Sequence, residues 1–162
     1  MKFLKSFKRS VNEYNIRSIC KKYGIWNYTI NSDGSIDVNG DVNLSSMGLY
    51  SLPLKFGRVN GNFYCYNNYL TSLKGAPTIV EYNFYCDGNK LKTLKYFPKV
   101  EGRIGIDDNK LPKEICENKD LLILKKIIEY QDDYSIWNSD NTLNQFRFKD
   151  MMEEVNDYLK RN

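Results

Sequence analysis

Histidine is absent from this chain of 162 residues. Its absence excludes a Ser-His-Asp or Cys-His catalytic pair, an HExxH zinc site and a histidine proton shuttle. Cysteine is sparse: Cys20, Cys65, Cys86 and Cys116 show no CxxC spacing, which argues against a zinc site and gives no sign of a disulfide framework. There is no GxxxxGK[ST] or GxGxxG run, so nothing in the sequence cradles a phosphate. The longest apolar run, Leu121-Leu122-Ile123-Leu124, is far short of a membrane span. The opening segment, Met1 to Arg9, lacks the continuous apolar stretch of a signal peptide, so a cytoplasmic location is expected.

Hydrophobic residues make up 41% and charged residues 27%, enough for a packed core and too apolar for wholesale disorder. The length is that of one domain with a small appendage. Charge is uneven along the chain. Residues 1–30 carry seven Lys/Arg against one Glu, residues 31–115 are nearly balanced, and residues 116–162 carry seven basic against ten acidic residues. The net of +4 is too small for composition alone to call for nucleic acid.

The middle of the chain repeats. Phe63-Tyr-Cys65-Tyr-Asn-Asn68-Tyr-Leu70, Phe84-Tyr-Cys86-Asp-Gly-Asn89-Lys-Leu91 and Ile104-Gly-Ile106-Asp-Asp-Asn109-Lys-Leu111 align at steps of 21 and 20 residues. Val42-Asn-Leu44-Ser-Ser-Met47-Gly-Leu49 is an earlier copy, with Met47 where Asn is expected. Apolar residues at i and i+2 point to one side of a short strand. The Asn three residues later sits where the chain turns, where its amide can satisfy backbone groups. Pro53, Pro77 and Pro98 forbid a regular helix on the return path, and Val59, Val80 and Val100 open each new turn. A unit this small cannot bury its own apolar side and must stack on its neighbours. The expected product is a short parallel solenoid, with strands on one face and irregular or 3₁₀ segments on the other.

The pattern resembles the leucine-rich repeat. More narrowly, Gly61-Asn-Phe-Tyr-Cys-Tyr-Asn-Asn-Tyr-Leu-Thr-Ser-Leu-Lys-Gly-Ala-Pro77 is similar to the repeats of a leucine-rich-repeat family common in bacteriophages and some bacteria. The leader Tyr28–Leu44 also resembles the segment before the first repeat in that family. The likeness covers residues 20–115 well and the tail more loosely. It implies a leucine-rich-repeat solenoid at 41–115, and with the flanks the expected fold is α+β: a basic helix at 1–24, a capping β-hairpin at 25–40, the solenoid and a helical cap at 116–162. It also implies a phage or bacterial origin.

The flanks fit that outline. Asn31-Ser-Asp-Gly34 between alternating Tyr28/Ile30 and Ile36/Val38 predicts a hairpin that blunts the open end of the solenoid. Residues 6–23 have a helical stripe of Phe7, Val11 and Tyr14 beside Ile16, Ile19, Cys20 and Tyr23, with Gly24 as C-cap. Asp120 caps a predicted helix over 121–131, Trp137–Asn141 reads as loop, and a last helix is expected over 142–159, with Leu143, Phe146, Met151, Val155, Tyr158 and Leu159 inward.

Candidate sites follow from the ladders a solenoid makes. Residues beside the buried pairs point outward: Asn43 and Ser45; Asn62, Tyr64 and Tyr66; Asn83, Tyr85 and Asp87; Arg103, Gly105 and Asp107. Tyr64 and Tyr85 are expected side by side, about 4.8 Å apart. Tyrosine among Asn, Asp and Arg matches the composition of a protein-binding patch; it is equally a good strand former that keeps a surface soluble. Lys2, Lys5, Lys8, Arg9, Arg17, Lys21 and Lys22 form a candidate nucleic-acid interface, or with Phe3, Leu4 and Phe7 a membrane-surface helix, or a solvated helix face. Cys65 and Cys86 read as buried small hydrophobes or as a paired thiol site, and Cys116 as a candidate nucleophile without a His helper. Asp87 with Asp107 and Asp108 is a candidate cation site, although no calcium-loop pattern accompanies it. The functional expectation is a non-enzymatic module without a cofactor. It binds a protein partner through the strand face, and the family resemblance implies a host protein, possible inhibition of a host defence factor, and the host cytoplasm. The alternatives are nucleic-acid binding through the basic helix and an enzyme acting through Cys116 or the acidic turns.

Overall fold

A computed structural model describes residues 2–118 and 120–161, with side chains of residues 2–11 left aside. Helix α1 (Lys2–Lys22) leads into the hairpin β1 (Tyr28–Ile30) and β2 (Ile36–Val38). Seven short strands follow: β3 (Val42–Asn43), β4 (Phe56–Val59), β5 (Phe63–Tyr64), β6 (Ile79–Val80), β7 (Phe84–Tyr85), β8 (Lys99–Val100) and β9 (Ile104–Gly105). Helices α2 (Lys113–Cys116), α3 (Leu121–Tyr130) and α4 (Gln145–Arg161) end the chain.

The strands stack as a β-solenoid of about three turns with helices at its ends. One sheet runs β3-β5-β7-β9, all parallel, in the register Val42, Phe63, Phe84, Ile104. The other runs β1-β2-β4-β6-β8. This second sheet departs from the expected irregular return path. Its column Val38, Val59, Val80, Val100 pairs in parallel from coil to coil, so the valines are strand residues of a sheet of their own. The hairpin turns at Gly34, whose φ of 79° lies in the left-handed region. Its second strand is the first parallel rung of that sheet, and β1 closes it by antiparallel pairing.

The interior is a column of aromatic rings and asparagines. Phe63 stacks on Phe84 at 5.5 Å between centroids, and Phe56 and Phe97 meet them edge-on. Fully buried Phe side chains of this kind are worth about 3–5 kcal/mol each. Cys65 and Cys86 belong to the same core at zero exposure. The turn asparagines form a buried ladder. Asn89 Oδ1 accepts from the Leu70 amide, and its Nδ2 donates to the carbonyls of Cys65, Cys86 and Asp87. Asn68 and Asn109 repeat the arrangement one coil before and one after. Each amide thus satisfies backbone groups of two coils that would otherwise be buried without partners.

The ends are sealed by helices whose packing differs in detail from the expected stripes. In α1 the buried side is Ile16 and Cys20, while Tyr14 is 73% exposed. Phe7 and Val11 fall outside the described side chains. Gly24, at φ 63°, ends this helix as expected. Asp120 caps α3, accepting from the amides of Leu122 and Ile123. Trp137 is buried: its Nε1 donates to Gln131 Oε1 at 2.7 Å, and Gln131 Nε2 donates to Leu94 O of the solenoid. A bridge between Trp137 and Leu143 draws the following residues into a turn, so α4 starts at Gln145, capped by Asn144. The buried stripe is therefore Phe148, Met151 and Val155, and Phe146 is 75% exposed. No helix among the described residues is long and apolar enough to cross a membrane.

Candidate functional site

The two sheets present two outward faces of opposite character. On the β3-β5-β7-β9 face, Tyr64 and Tyr85 lie parallel, 5.8 Å between centroids and 3° between planes. Tyr66 meets Tyr64 edge-on at 6.4 Å. The ladder continues to Gly105, where a Cβ would fall 2.6 Å from Tyr85 Cδ1 and against the Asp87 carboxylate. Only a residue without a side chain lets the Tyr85 ring and Asp87 settle over the last rung.

The asparagines at the entrance to these strands are committed to the fold. Asp41 Oδ1 accepts from Asn62 N and Nδ2, Asn62 Oδ1 accepts from Asn83 N and Nδ2, and Asn83 Oδ1 accepts from Arg103 N. Asn62 and Asn83 thus serve first as coil-to-coil brackets. Arg103 and Asp107 are exposed, while Tyr64, Tyr66, Tyr85 and Asp87 are half-buried. Asp87 accepts from the Asp107 amide, and burial pushes its carboxyl up from the ordinary value of 3.8, with Asp107 and Asp108 adding repulsion. Burial chiefly raises the Tyr64 hydroxyl, and Asp41 pushes the same way. Asp41 belongs to this face although the sequence reading passed it over. The signal was present, since Asp41 stands one 21-residue step before Asn62.

The opposite face is knit by ion pairs. Arg58 pairs with Glu81, Lys99 with Glu101 at 3.0 Å, and Lys55 with Asp33 in the hairpin turn at 2.5 Å. The Lys99 ammonium holds Glu101 below its ordinary range, and Lys55 and Ser35 do the same for Asp33. A polar cleft of about 460 Å³ opens between Asn27, Asp37, Asn60 and Glu81 on this side.

The other candidates are placed as follows. Arg17, Lys21 and Lys22 are exposed, with the Lys22 ammonium 5.2 Å from the Tyr23 ring; the side chains of Lys2, Lys5, Lys8 and Arg9 lie outside the described ones. Cys65 and Cys86 are sealed in the core, and burial pushes both thiols far up, the reverse of an activated nucleophile. Cys116 is half-buried, with its Sγ 3.5 Å from Leu111 O. Among the described residues no group of three or more Cys, Asp or Glu side chains is arranged to hold a metal ion. A second aromatic pair escaped the sequence reading: Tyr50 and Tyr69, both exposed, stack at 5.2 Å. They are 19 residues apart, a diagonal contact that a search for equivalent repeat positions cannot find.

No protein-family model, curated protein or solved structure matches this chain.

Proposed function

We propose that this chain is a non-enzymatic protein-binding module that holds a protein partner on the outward face of the β3-β5-β7-β9 sheet. The observation that carries this reading is the Tyr64–Tyr85 stack with Tyr66 edge-on beside it. Rings pre-ordered by one another lose little conformational freedom on binding, and tyrosine is enriched among the residues that dominate interface energies. The coils are read as leucine-rich repeats, supported by the 20–21-residue period and the buried Asn ladder. The resemblance of the repeats to phage-encoded ones supports a host protein as partner and inhibition of a host defence factor as the consequence.

The test is affinity capture from bacterial lysate with the wild type and with Tyr64→Ala/Tyr85→Ala. The double variant is expected to lose roughly tenfold or more in affinity for the partner the wild type captures. Its thermal unfolding midpoint should stay close to the wild type, because both side chains lie outside the core. Equal capture by the two proteins removes the site from this face.

A further inference from the structure

The tyrosine face also carries two aspartates that no ion pair among the described residues reaches. Asp41 flanks Tyr64 and Asp87 flanks Tyr85. Among the described residues of the outward columns, Arg103 is the one basic residue. Among the described residues no ion pair reaches Asp41 or Asp87, whereas Glu81, Glu101 and Asp33 of the opposite side each have one. The Asp87 carboxylate is half-buried beside an aromatic ring, where its charge is poorly solvated. The Asp107 amide donates to this carboxylate, a cation beside it would offset the remaining cost of burial, and the π-faces attract the same ligand.

We infer that the partner presents a cationic segment to this face: Arg or Lys side chains that lie over the Tyr64 and Tyr85 rings and reach the Asp41 and Asp87 carboxylates. This rests on the protein-binding reading above and names the chemistry of the occupant. Arginine suits the site best, because its planar guanidinium stacks on a ring while its edge donates to a carboxylate. The same charge pattern repels nucleic acid and anionic membrane from this face.

The probe is a labelled twelve-residue peptide of alternating Arg and Gly, titrated into the full chain beside its Glu-Gly counterpart and a single-stranded oligonucleotide. The Arg peptide is expected to bind, and its affinity to fall as salt rises. Asp87→Asn and Asp41→Asn should each weaken it about fivefold. Tyr64→Ala/Tyr85→Ala should weaken it further, each variant first being checked for a cooperative melting curve with a midpoint no lower than about that of the wild type. No binding at about 1 mM peptide overturns the inference. So does equal binding of the Glu peptide, or an affinity that ignores both aspartates. Preference for the oligonucleotide overturns it in favour of a nucleic-acid partner. The two readings separate cleanly. A captured protein that needs Tyr64 and Tyr85 but ignores salt and Asp87→Asn leaves the binding face standing and removes the cationic occupant. One that ignores the tyrosines removes both.

Discussion

The two outward faces of the solenoid are built on the same coils, yet Asp87 on one and Glu101 on the other are shifted in opposite directions. On the β1-β2-β4-β6-β8 side, Glu101 sits beside Lys99 and is held below its ordinary range. On the β3-β5-β7-β9 side, Asp87 sits beside Tyr85 and Gly105 and is pushed above it. The first arrangement is what a solvated, self-satisfied surface looks like. The second holds a charge where burial disfavours it, with a stacked aromatic pair alongside. The Tyr64–Tyr85 stack lies on the second side, and that is why the proposed binding site is placed there.

The comparison can be broken at Gly105. Gly105→Val would drive a side chain into the Tyr85 ring and the Asp87 carboxylate, and overpacking of this kind costs about 1–3 kcal/mol. Denaturant unfolding should register that loss, and the Arg peptide should bind more weakly because the stack is displaced. If stability and binding are unchanged, the ring does not rest over this rung.

A smaller effect sharpens the contrast through pH. Asp87 has a folded value above 3.8, so the native state holds its proton more tightly than the unfolded chain. Its contribution to stability therefore falls as pH rises from 3.8 through the raised value. Asp87→Asn, which keeps an oxygen to accept from the Asp107 amide, should be more stable than wild type at pH 7 and lose that advantage below about pH 4. Glu101 has a folded value below 4.5, so its contribution is present above 4.5 and is lost as pH falls through the lowered value. Glu101→Gln should therefore be slightly less stable than wild type at pH 7. Melting curves across pH 3–7 check both signs, and shifts in the same direction would erase the distinction between the faces.

Much of this architecture is legible in the sequence because a solenoid writes its geometry as a period. The Phe63/Cys65 and Phe84/Cys86 pairs, the Asn68–Asn89–Asn109 ladder and the Tyr64–Tyr85 contact all follow from one 20–21-residue step. The second sheet was harder to see. Its parallel rungs β6 and β8 are only two residues long, and one buried valine per coil is too little for an alternating pattern. Non-periodic features left no such trace. The Gln131–Trp137 hydrogen bond that fixes the C-terminal cap joins a helix end to a segment with loop composition. The shift of the α4 stripe from Phe146 to Phe148 depends on where the Asn144 cap falls. For the site, the tyrosine column was readable, but the charge state of the face was not. That depends on which acids find a basic side chain beside them and which do not.

The assignment of the face is tested most directly by hydroxyl-radical footprinting of the tyrosines with the captured partner bound. Tyr64, Tyr66 and Tyr85 should lose reactivity, while the exposed Tyr14, Tyr82 and Tyr96 keep theirs as internal controls. Protection of the controls with Tyr64, Tyr66 and Tyr85 unchanged would contradict it.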